Sequence, residues 1–349
     1  MILADHLLYV DITNVCNVGC ESCMYKAEIG ETPKNLVLTR AAEKNLGTLI
    51  NDPETAHVIV SGEGEPFNNE PALKGILGLS KGNRYFQIVT NGAWANADLT
   101  DRLRELDQMA ESRGDRYGLR VSLDSFHAAK ISRQKYARFF QVASGGQFQN
   151  LNLAVRSLLE EREFTRDFIR SVVEDADLSY ALKADGELDD ELILGKQRVN
   201  ITYKNLIHPD AMGIDKAFSI YDYIVALERK YKKTFTLGNL GTSGQHKGLD
   251  ITVKPSGEVL FYGAELQSFG NIFNGNEEVS ISILKRAVHT DPLLKALYSK
   301  PFREALDELS RNSEISAEIK KINNPYWIVR DIYLRYKSEF DKAFGVKYD

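Results

Sequence analysis

The chain has very few cysteines, and it lacks long apolar segments. Only three of its 349 residues are Cys, all between positions 16 and 23. An odd number within one short segment excludes a disulfide framework, which needs pairs of cysteines. No apolar stretch approaches the roughly 18 residues of a membrane span, and the first residues lack the basic and apolar parts of a secretory signal. Clustered free thiols suit a reducing compartment, so we expect a cytoplasmic protein with no membrane partner.

Strong charge of either sign is also missing. The net charge is −5, with 27% charged and 43% hydrophobic residues, as in ordinary soluble globular proteins. This balance disfavours nucleic acid as a partner, because nucleic-acid-binding domains carry basic surfaces. The length allows a sizeable core, either as one large domain or as one domain with an extension.

Strand and helix patterns alternate six times in the first two thirds of the chain. Predicted strands cover residues 7–12, 57–61, 85–90, 118–124, 151–156 and 198–203. Predicted helices cover residues 38–50, 71–79, 98–112, 133–143, 165–175 and 219–232. This alternation predicts an α/β fold with a parallel sheet covered by helices. Six repeats are fewer than the eight of a full barrel, and they fit an open, partial (β/α)6 TIM-type barrel.

The composition changes near residue 238, where several glycines interrupt a polar segment. Residues 249–262 then predict a β-hairpin that turns at residues 255–257, and a helical pattern covers residues 281–344. We therefore predict two domains, with residues 1–236 forming the partial barrel and residues 237–349 forming a C-terminal extension of a hairpin and helices.

The three cysteines have the spacing C-x3-C-x2-C, at Cys16, Cys20 and Cys23. A structural zinc site normally has four ligands, so zinc would need a distant histidine as the fourth. A [4Fe–4S] cluster usually takes four thiolates, and three would leave one iron open to a ligand that is not protein. Both interpretations remain open from the cysteines alone.

Polar or glycine-rich residues follow the predicted strands. Strand two ends in Gly62-Glu63-Gly64-Glu65-Pro66, and the next three end near Asn91, near Ser122 and Asp124, and at Arg156. The carboxyl ends of parallel strands meet at one edge of such a sheet, where ligands bind. We expect these residues to share that edge.

The cysteine spacing and the Gly-x-Gly-Glu-Pro segment resemble the motifs of the radical S-adenosylmethionine (SAM) superfamily. The resemblance covers residues 7–235 and implies a partial barrel with one [4Fe–4S] cluster on Cys16, Cys20 and Cys23. It also implies that SAM binds the open iron and is cleaved to a 5′-deoxyadenosyl radical, which abstracts hydrogen from a substrate. The sequence departs from the family pattern at Ser22, where an aromatic residue is frequent; Tyr25 is the candidate to pack beside the adenine instead.

The resemblance also implies roles for the strand-end residues. Gly62, Gly64 and Glu65 would hold the amino group of SAM, and Arg156 its carboxylate. Ser122 and Asp124 would bind the ribose hydroxyls, with Asn91 nearby. His127 and His208 are the candidates for a general acid or base, since histidine titrates near neutral pH.

Residues 249–275 resemble the hairpin that follows the barrel in SPASM-type radical SAM enzymes. Those enzymes bind auxiliary clusters there through further cysteines, which this chain lacks, so we expect a cap without a cluster. For the substrate we favour a small polar metabolite such as a sugar, nucleoside or amino acid, with peptide modification as the alternative. A flavodoxin- or ferredoxin-like protein is the implied electron donor. A non-enzymatic zinc-binding scaffold is the alternative from another functional class.

Overall fold

A computed structural model describes residues 4–20, 23, 25, 32–146, 148–204, 219–241, 248–276, 278–322 and 324–348. The chain divides into two compact units. The first consists of Met1–Val10, Val37–His57 and Leu206–Asp349, and the second of Asp11–Leu36 and Val58–Asn205. The predicted boundary between residues 236 and 237 stays a prediction.

Up to residue 204 strands mostly alternate with helices, except that two helices are consecutive between residues 125 and 144 and three strands are consecutive after residue 179. In order they are β1 (His6–Asp11), α1 (Arg40–Asn51), β2 (Thr55–Ser61), α2 (Glu70–Gly78), β3 (Tyr85–Thr90), α3 (Leu99–Arg113), β4 (Arg116–Ser122), α4 (Ser125–Ala128), α5 (Arg133–Ser144), β5 (Leu151–Leu158), α6 (Arg162–Asp175), β6 (Tyr180–Ala184), β7 (Asp189–Leu194) and β8 (Gln197–Lys204). Short 3-10 helices cover Pro66–Asn69 and Leu159–Glu161. The six predicted strands are therefore confirmed, and so is the α/β class.

The remaining elements follow residue 219. They are α7 (Ile220–Tyr231), β9 (Asp250–Val253), β10 (Val259–Phe261), α8 (Ile281–Thr290), α9 (Pro292–Ser299), α10 (Phe302–Leu309), α11 (Ser313–Ile319) and α12 (Lys337–Phe344), with 3-10 helices at Leu237–Asn239 and Pro325–Trp327 and a π-helix at Val329–Tyr333. The strands β9 and β10 pair antiparallel, which confirms the predicted hairpin. None of the helices among the described residues is long and apolar enough to cross a membrane.

In the second unit, β2, β3, β4, β5 and β8 are neighbours and run parallel. The prediction missed β6 and β7, which lie between β5 and β8 in sequence and pair antiparallel. A two-residue turn at Gly195 and Lys196 joins β7 to β8, and Gly195 adopts a φ of +60° that favours glycine. Among the described strands β6 pairs only with β7, so the sheet is not closed there, in agreement with the predicted open barrel.

The two faces of this sheet differ in polarity. One face carries apolar side chains such as Val121, Val155 and Val199, which pack with Tyr136 and Phe140 of α5. The other face carries half-buried or exposed residues, because successive side chains of a strand alternate between faces. Among its polar members are Gln87 on β3, Arg116, Arg120 and Ser122 on β4, Asn152 and Arg156 on β5, Asp189 and Glu191 on β7, and Arg198, Asn200, Thr202 and Lys204 on β8. We call this surface the open face.

In the first unit, β1 pairs in parallel with β9, and β10 lies on the other side of β9. A group of buried aromatic residues lies beside the hairpin. Tyr262 stacks on Tyr9 with ring centroids 4.8 Å apart and contacts Tyr326 at 4.3 Å. Tyr262 is thus a packing residue of the hairpin, while the resemblance to a SPASM extension stays a prediction.

Asp250 is a fully buried carboxylate in the first unit. Its Oδ2 accepts hydrogen bonds from the Tyr326 hydroxyl at 2.5 Å and from the Gly241 amide at 2.6 Å. Its Oδ1 is buried and has no hydrogen-bond partner among the residues that the structure describes. Burial outweighs the two hydrogen bonds and raises the pKa of Asp250 to about 7.

We expect Asp250→Asn to make the free energy of unfolding less dependent on pH. A carboxyl whose pKa is higher in the folded state stabilises the protein most below its unfolded pKa of about 4, and this contribution is lost as the pH rises through 7. Over this pH range the wild-type protein should lose a few kcal/mol of its free energy of unfolding through Asp250, and asparagine, which does not titrate, abolishes this pH dependence. Urea unfolding between pH 4 and pH 8 measures the slope. The exposed Asp101→Asn is the control, and a variant slope equal to that of wild type would contradict the prediction.

Candidate active site

The three cysteines lie in the segment that follows β1, whose described residues are 12–20, 23 and 25, and we call these residues the cysteine loop. Cys20 is buried, and Cys16 and Cys23 are half-buried. The Cys23 amide donates to the Cys20 carbonyl at 3.1 Å, and burial raises the pKa of the Cys23 thiol to about 11. No group of three or more His, Cys, Asp or Glu side chains among the described residues is arranged to hold a metal ion. Cluster ligation by the three thiols stays a prediction.

The Gly-x-Gly-Glu-Pro segment attaches the cysteine loop to the end of β2. The Gly64 amide donates to the Thr13 carbonyl, and the Glu65 amide donates to the Val15 carbonyl, both at 2.9 Å. A Cβ atom on Gly64 would lie 2.3–2.6 Å from the backbone of Val15, and one on Gly62 would lie 2.7 Å from the Thr13 carbonyl oxygen. The glycines are therefore required for this close backbone approach. Their predicted contact with SAM stays a prediction.

Glu65 is buried, with 2% of its surface exposed, and its carboxylate joins two strand ends. It accepts hydrogen bonds from the Thr90 hydroxyl and the Asn91 amide at 2.7 Å, and from the Phe67 amide at 3.2 Å. Burial raises the pKa of Glu65 to about 7, and the three hydrogen bonds limit the rise. Glu65 thus positions the end of β3, whether or not it also binds an amino group as predicted.

Asn91 connects the end of β3 with the cysteine loop. Its Nδ2 atom donates to Cys16 Sγ at 3.8 Å and to Asn17 Oδ1 at 3.1 Å, while its Oδ1 accepts from the Ala93 amide. Asn91 was predicted to lie near SAM, and the structure places it against the first cysteine. An amide that donates to sulfur stabilises a thiolate, which is the form of cysteine that binds metal.

Asp124 and His127 form a hydrogen-bonded pair just beyond β4. His127 Nδ1 lies 2.8 Å from Asp124 Oδ1, and Asp124 also caps α4 by accepting from the His127 amide. Burial disfavours the charge on His127, but hydrogen bonding to Asp124 and to Cys20 prevails and raises its pKa to about 10. The same pairing, against the opposing effect of burial, lowers the pKa of Asp124. Ribose binding by Asp124 and acid–base work by His127 both stay predictions.

The other predicted residues are Ser122, Arg156, Tyr25 and His208. Ser122 and Arg156 lie opposite each other on β4 and β5, on the open face. The Nε atom of Arg156 is buried and has no hydrogen-bond partner among the described residues. The predicted contacts of Ser122 and Arg156 with SAM stay predictions. The amide of Tyr25 hydrogen-bonds with Cys23. His208 lies outside the described residues.

Lys204 is a site residue that the sequence analysis missed, because the predicted strand ended at residue 203. It is the last residue of β8 and continues the alternation of Arg198, Asn200 and Thr202 on the open face. Burial lowers its pKa, as does the charge of Arg156, whereas the charges of Asp124 and Cys23 act in the opposite direction. The same alternation, extended by one residue, was the signal that could have identified it.

Comparisons with solved structures show a likeness of fold. Native anSMEcpe with bound AdoMet is 12% identical to this chain. The aligned region covers 98% of this chain and 100% of that chain, and the TM-score is 0.50. BtrN in complex with AdoMet and 2-DOIA is also 12% identical; the aligned region covers 85% of this chain and 88% of that chain, and the TM-score is 0.42. The chain shares the fold of anSMEcpe. No protein-family model matches the sequence, and no curated protein does.

Proposed function

We propose that this protein is a radical SAM enzyme with one [4Fe–4S] cluster on Cys16, Cys20 and Cys23. The observation that carries the proposal is the attachment of the cysteine loop. Gly64 and Glu65 hold its backbone, and Asn91 donates from the end of β3 to Cys16. The likeness of fold to an AdoMet-bound protein supports the same interpretation.

The residues present fit these cofactors. Three thiols on one loop are the ligands that iron–sulfur clusters take, and the buried, unpartnered Nε of Arg156 suits a carboxylate. When bound, the cluster and SAM supply a 5′-deoxyadenosyl radical, which abstracts a hydrogen atom from the substrate. In this proposal Arg156 orients the methionine carboxylate and Glu65 the amino group. Ser122 and Asp124 bind the ribose, and Tyr25 packs beside the adenine.

The remaining parts of the site would control the substrate radical. The polar side chains of the open face, among them Asn200 and Thr202, favour a small polar metabolite over a peptide. No cysteine beyond the three ligands is present to return a hydrogen atom, so that role would fall to a tyrosine, to an external reductant, or to 5′-deoxyadenosine as SAM is re-formed. A flavodoxin- or ferredoxin-like protein supplies the electron, and the cytoplasm is the expected compartment.

One observation favours a second candidate, the zinc-binding scaffold. His127 interacts with Cys20, and Asp124 hydrogen-bonds with the Nδ1 atom of His127. A carboxylate that orients a histidine is a common companion of zinc ligands. A Cys3His site would use the same three thiols with His127 as the fourth ligand.

SAM cleavage distinguishes the two candidates. We expect the chain, reconstituted anaerobically with iron and sulfide and then reduced, to bind four irons and to convert SAM into 5′-deoxyadenosine. The triple variant C16A/C20A/C23A should bind no iron and give no product, because cluster ligation needs the thiolates. The exposed Arg311→Gln, which removes only an ion pair with Glu308, should behave like wild type when measured in parallel. A colourless protein that holds one tightly bound zinc would contradict the enzyme proposal and support the scaffold.

A further inference from the structure

The hydroxyl of Thr90, the last residue of β3, makes three hydrogen bonds within the second unit. It accepts from the Gly92 amide at 3.0 Å and from the indole Nε1 of Trp94 at 2.8 Å, and it donates to Glu65 Oε1 at 2.7 Å. A hydroxyl has two acceptor positions and one proton, whereas an amide or indole N–H can only donate. Gly92 and Trp94 therefore occupy both acceptor positions, so the proton of Thr90 points to Glu65.

The same bonds determine which positions of the Glu65 carboxylate are occupied. Its Oε1 accepts from the Thr90 hydroxyl and from the Phe67 amide at 3.2 Å, which together use both lone pairs. Its Oε2 accepts from the Asn91 amide at 2.7 Å. A carboxylate offers about four acceptor positions. Among the described residues three of these are filled by donors, and one position on Oε2 remains for a ligand.

Packing holds the buried ring of Trp94 in place. The ring stacks on Phe67, with centroids 3.7 Å apart and an angle of 22° between the planes, and it meets Phe139 edge to face at 5.7 Å. The guanidinium of Arg102 lies 4.6 Å from the centroid of the Trp94 ring. The indole cannot turn away without breaking these contacts, so its N–H stays on the Thr90 hydroxyl.

The open position of Glu65 can be filled in two ways, by the proton of the carboxyl group itself or by a donor of a ligand. In the proposed function that donor is the amino group of SAM, a cation, and an ionised carboxylate binds it through a charge-assisted hydrogen bond. Hydrogen bonds to the charged form of a group favour that form. Because burial already raises the pKa of Glu65 to about 7, the loss of one donor would favour the protonated form at neutral pH.

We propose that Thr90 and Trp94 are positioning residues, which keep Glu65 ionised and leave its one open position to the amino group of SAM. This inference rests on the proposed function, since it concerns the same site. Thr90 acts through Glu65, and Trp94 acts through Thr90, so neither residue needs to touch SAM itself.

Calorimetric titration of the reconstituted full chain with SAM tests the proposal, with no reductant added so that SAM is bound and not cleaved. Thr90→Val keeps the shape of the side chain but removes the proton that points to Glu65, so SAM should bind at least about tenfold more weakly. Thr90→Ser keeps the hydroxyl and should bind SAM within about twofold of wild type. Trp94→Phe keeps an aromatic ring on Phe67 but frees one acceptor position of Thr90, so we expect a smaller loss of about threefold.

The matched control is Thr165→Val, which removes another buried hydroxyl from the same unit. Thr165 lies in α6, and its hydroxyl shares a hydrogen bond of 2.7 Å with Ser157. This variant should bind SAM like wild type. A second probe, 5′-methylthioadenosine, contains the adenosine part of SAM but no amino group. Thr90→Val should therefore leave the binding of 5′-methylthioadenosine unchanged.

The proposal is overturned if Thr90→Val binds SAM like wild type, or if Thr90→Ser or Thr165→Val weakens binding as much as Thr90→Val does. Equal weakening of SAM and 5′-methylthioadenosine by Thr90→Val would also overturn it, because that result would show general damage to the site. Thr90→Val leaves two buried N–H groups without an acceptor, which lowers stability. Trp94→Phe leaves no donor unpaired, so wild-type SAM binding in Trp94→Phe would overturn the proposal even if Thr90→Val did not fold.

The outcome for the wild-type chain separates this inference from the proposed function. A wild-type chain that binds four irons and forms 5′-deoxyadenosine, with variants that bind SAM equally well, would refute this inference alone. A wild-type chain that binds no iron would refute the proposed function itself.

Discussion

Gly64→Ala is expected to destabilise the protein by about 2–4 kcal/mol and to prevent cluster loading. The added Cβ would lie 2.3 Å from the carbonyl oxygen and 2.6 Å from the amide nitrogen of Val15. Both atoms belong to the backbone, so no side-chain rotation can relieve the contact. The cysteine loop must therefore move away and lose the hydrogen bonds that Gly64 and Glu65 donate to it. Denaturant unfolding and the iron content after reconstitution measure the two effects.

Gly47→Ala is the matched control for this substitution. Gly47 lies within α1, and a Cβ there would have no atom within 4 Å. Alanine stabilises a helix interior relative to glycine by about 0.5–1 kcal/mol, so the two substitutions should have opposite signs. A Gly64→Ala protein that unfolds at the wild-type denaturant concentration would show that the loop attachment is not as tight as described.

Asp190→Asn should destabilise the protein by about 3 kcal/mol. The Asp190 side chain is fully buried on β7, and it binds Arg166 through two hydrogen bonds of 2.8 Å as well as Arg162. Burial opposes its charge, but these partners and Tyr203 prevail and lower its pKa to about 2. Asparagine keeps the shape but leaves two arginines without their anion. Denaturant unfolding at pH 7 measures the loss of free energy.

The pH dependence of the free energy of unfolding provides a second test of the role of Asp190. A carboxyl with a lowered folded pKa stabilises the protein above its unfolded pKa, and that contribution is lost as the pH falls from about 4 through 2. In Asp190→Asn this part of the acid dependence should be absent. The adjacent Glu191→Gln, which removes only an ion pair with an exposed arginine, should change stability by less than about 0.5 kcal/mol. An equal loss of stability in Asp190→Asn and Glu191→Gln would contradict the role assigned to Asp190.

The six main strands were predictable because their apolar runs are bounded by turn residues. The sequence from Tyr85 to Thr90, for example, predicts β3 with both ends correct. The hairpin of β6 and β7 was missed because Lys183, Asp190 and Glu191 interrupt its apolar pattern. Asp190 is buried there only because Arg162 and Arg166, far away in sequence, neutralise it. Such tertiary compensation leaves no local signal.

For the candidate site, the sequence predicted which residues share one edge of the sheet. Strand ends are local, so Asn91, Ser122, Asp124 and Arg156 could be assigned to one edge from the sequence. Their partners could not, because they depend on side-chain contacts between strands. The bonds from Thr90 and Asn91 to Glu65 are one example, and the contact of Asn91 with Cys16 is another between parts of the chain far apart in sequence.

The pairing of β1 with β9 has a consequence for synthesis on the ribosome. Leu7 pairs with Asp250, and the Leu249 amide donates to His6, 243 positions away. At about 5–20 residues per second, β1 is made roughly 12–50 seconds before this partner leaves the ribosome. Such distant pairing also folds slowly, because the loop must close before the contact forms. The pairing of β1 with β9 therefore forms late, and the edge of β1 that β9 covers stays unpaired until then.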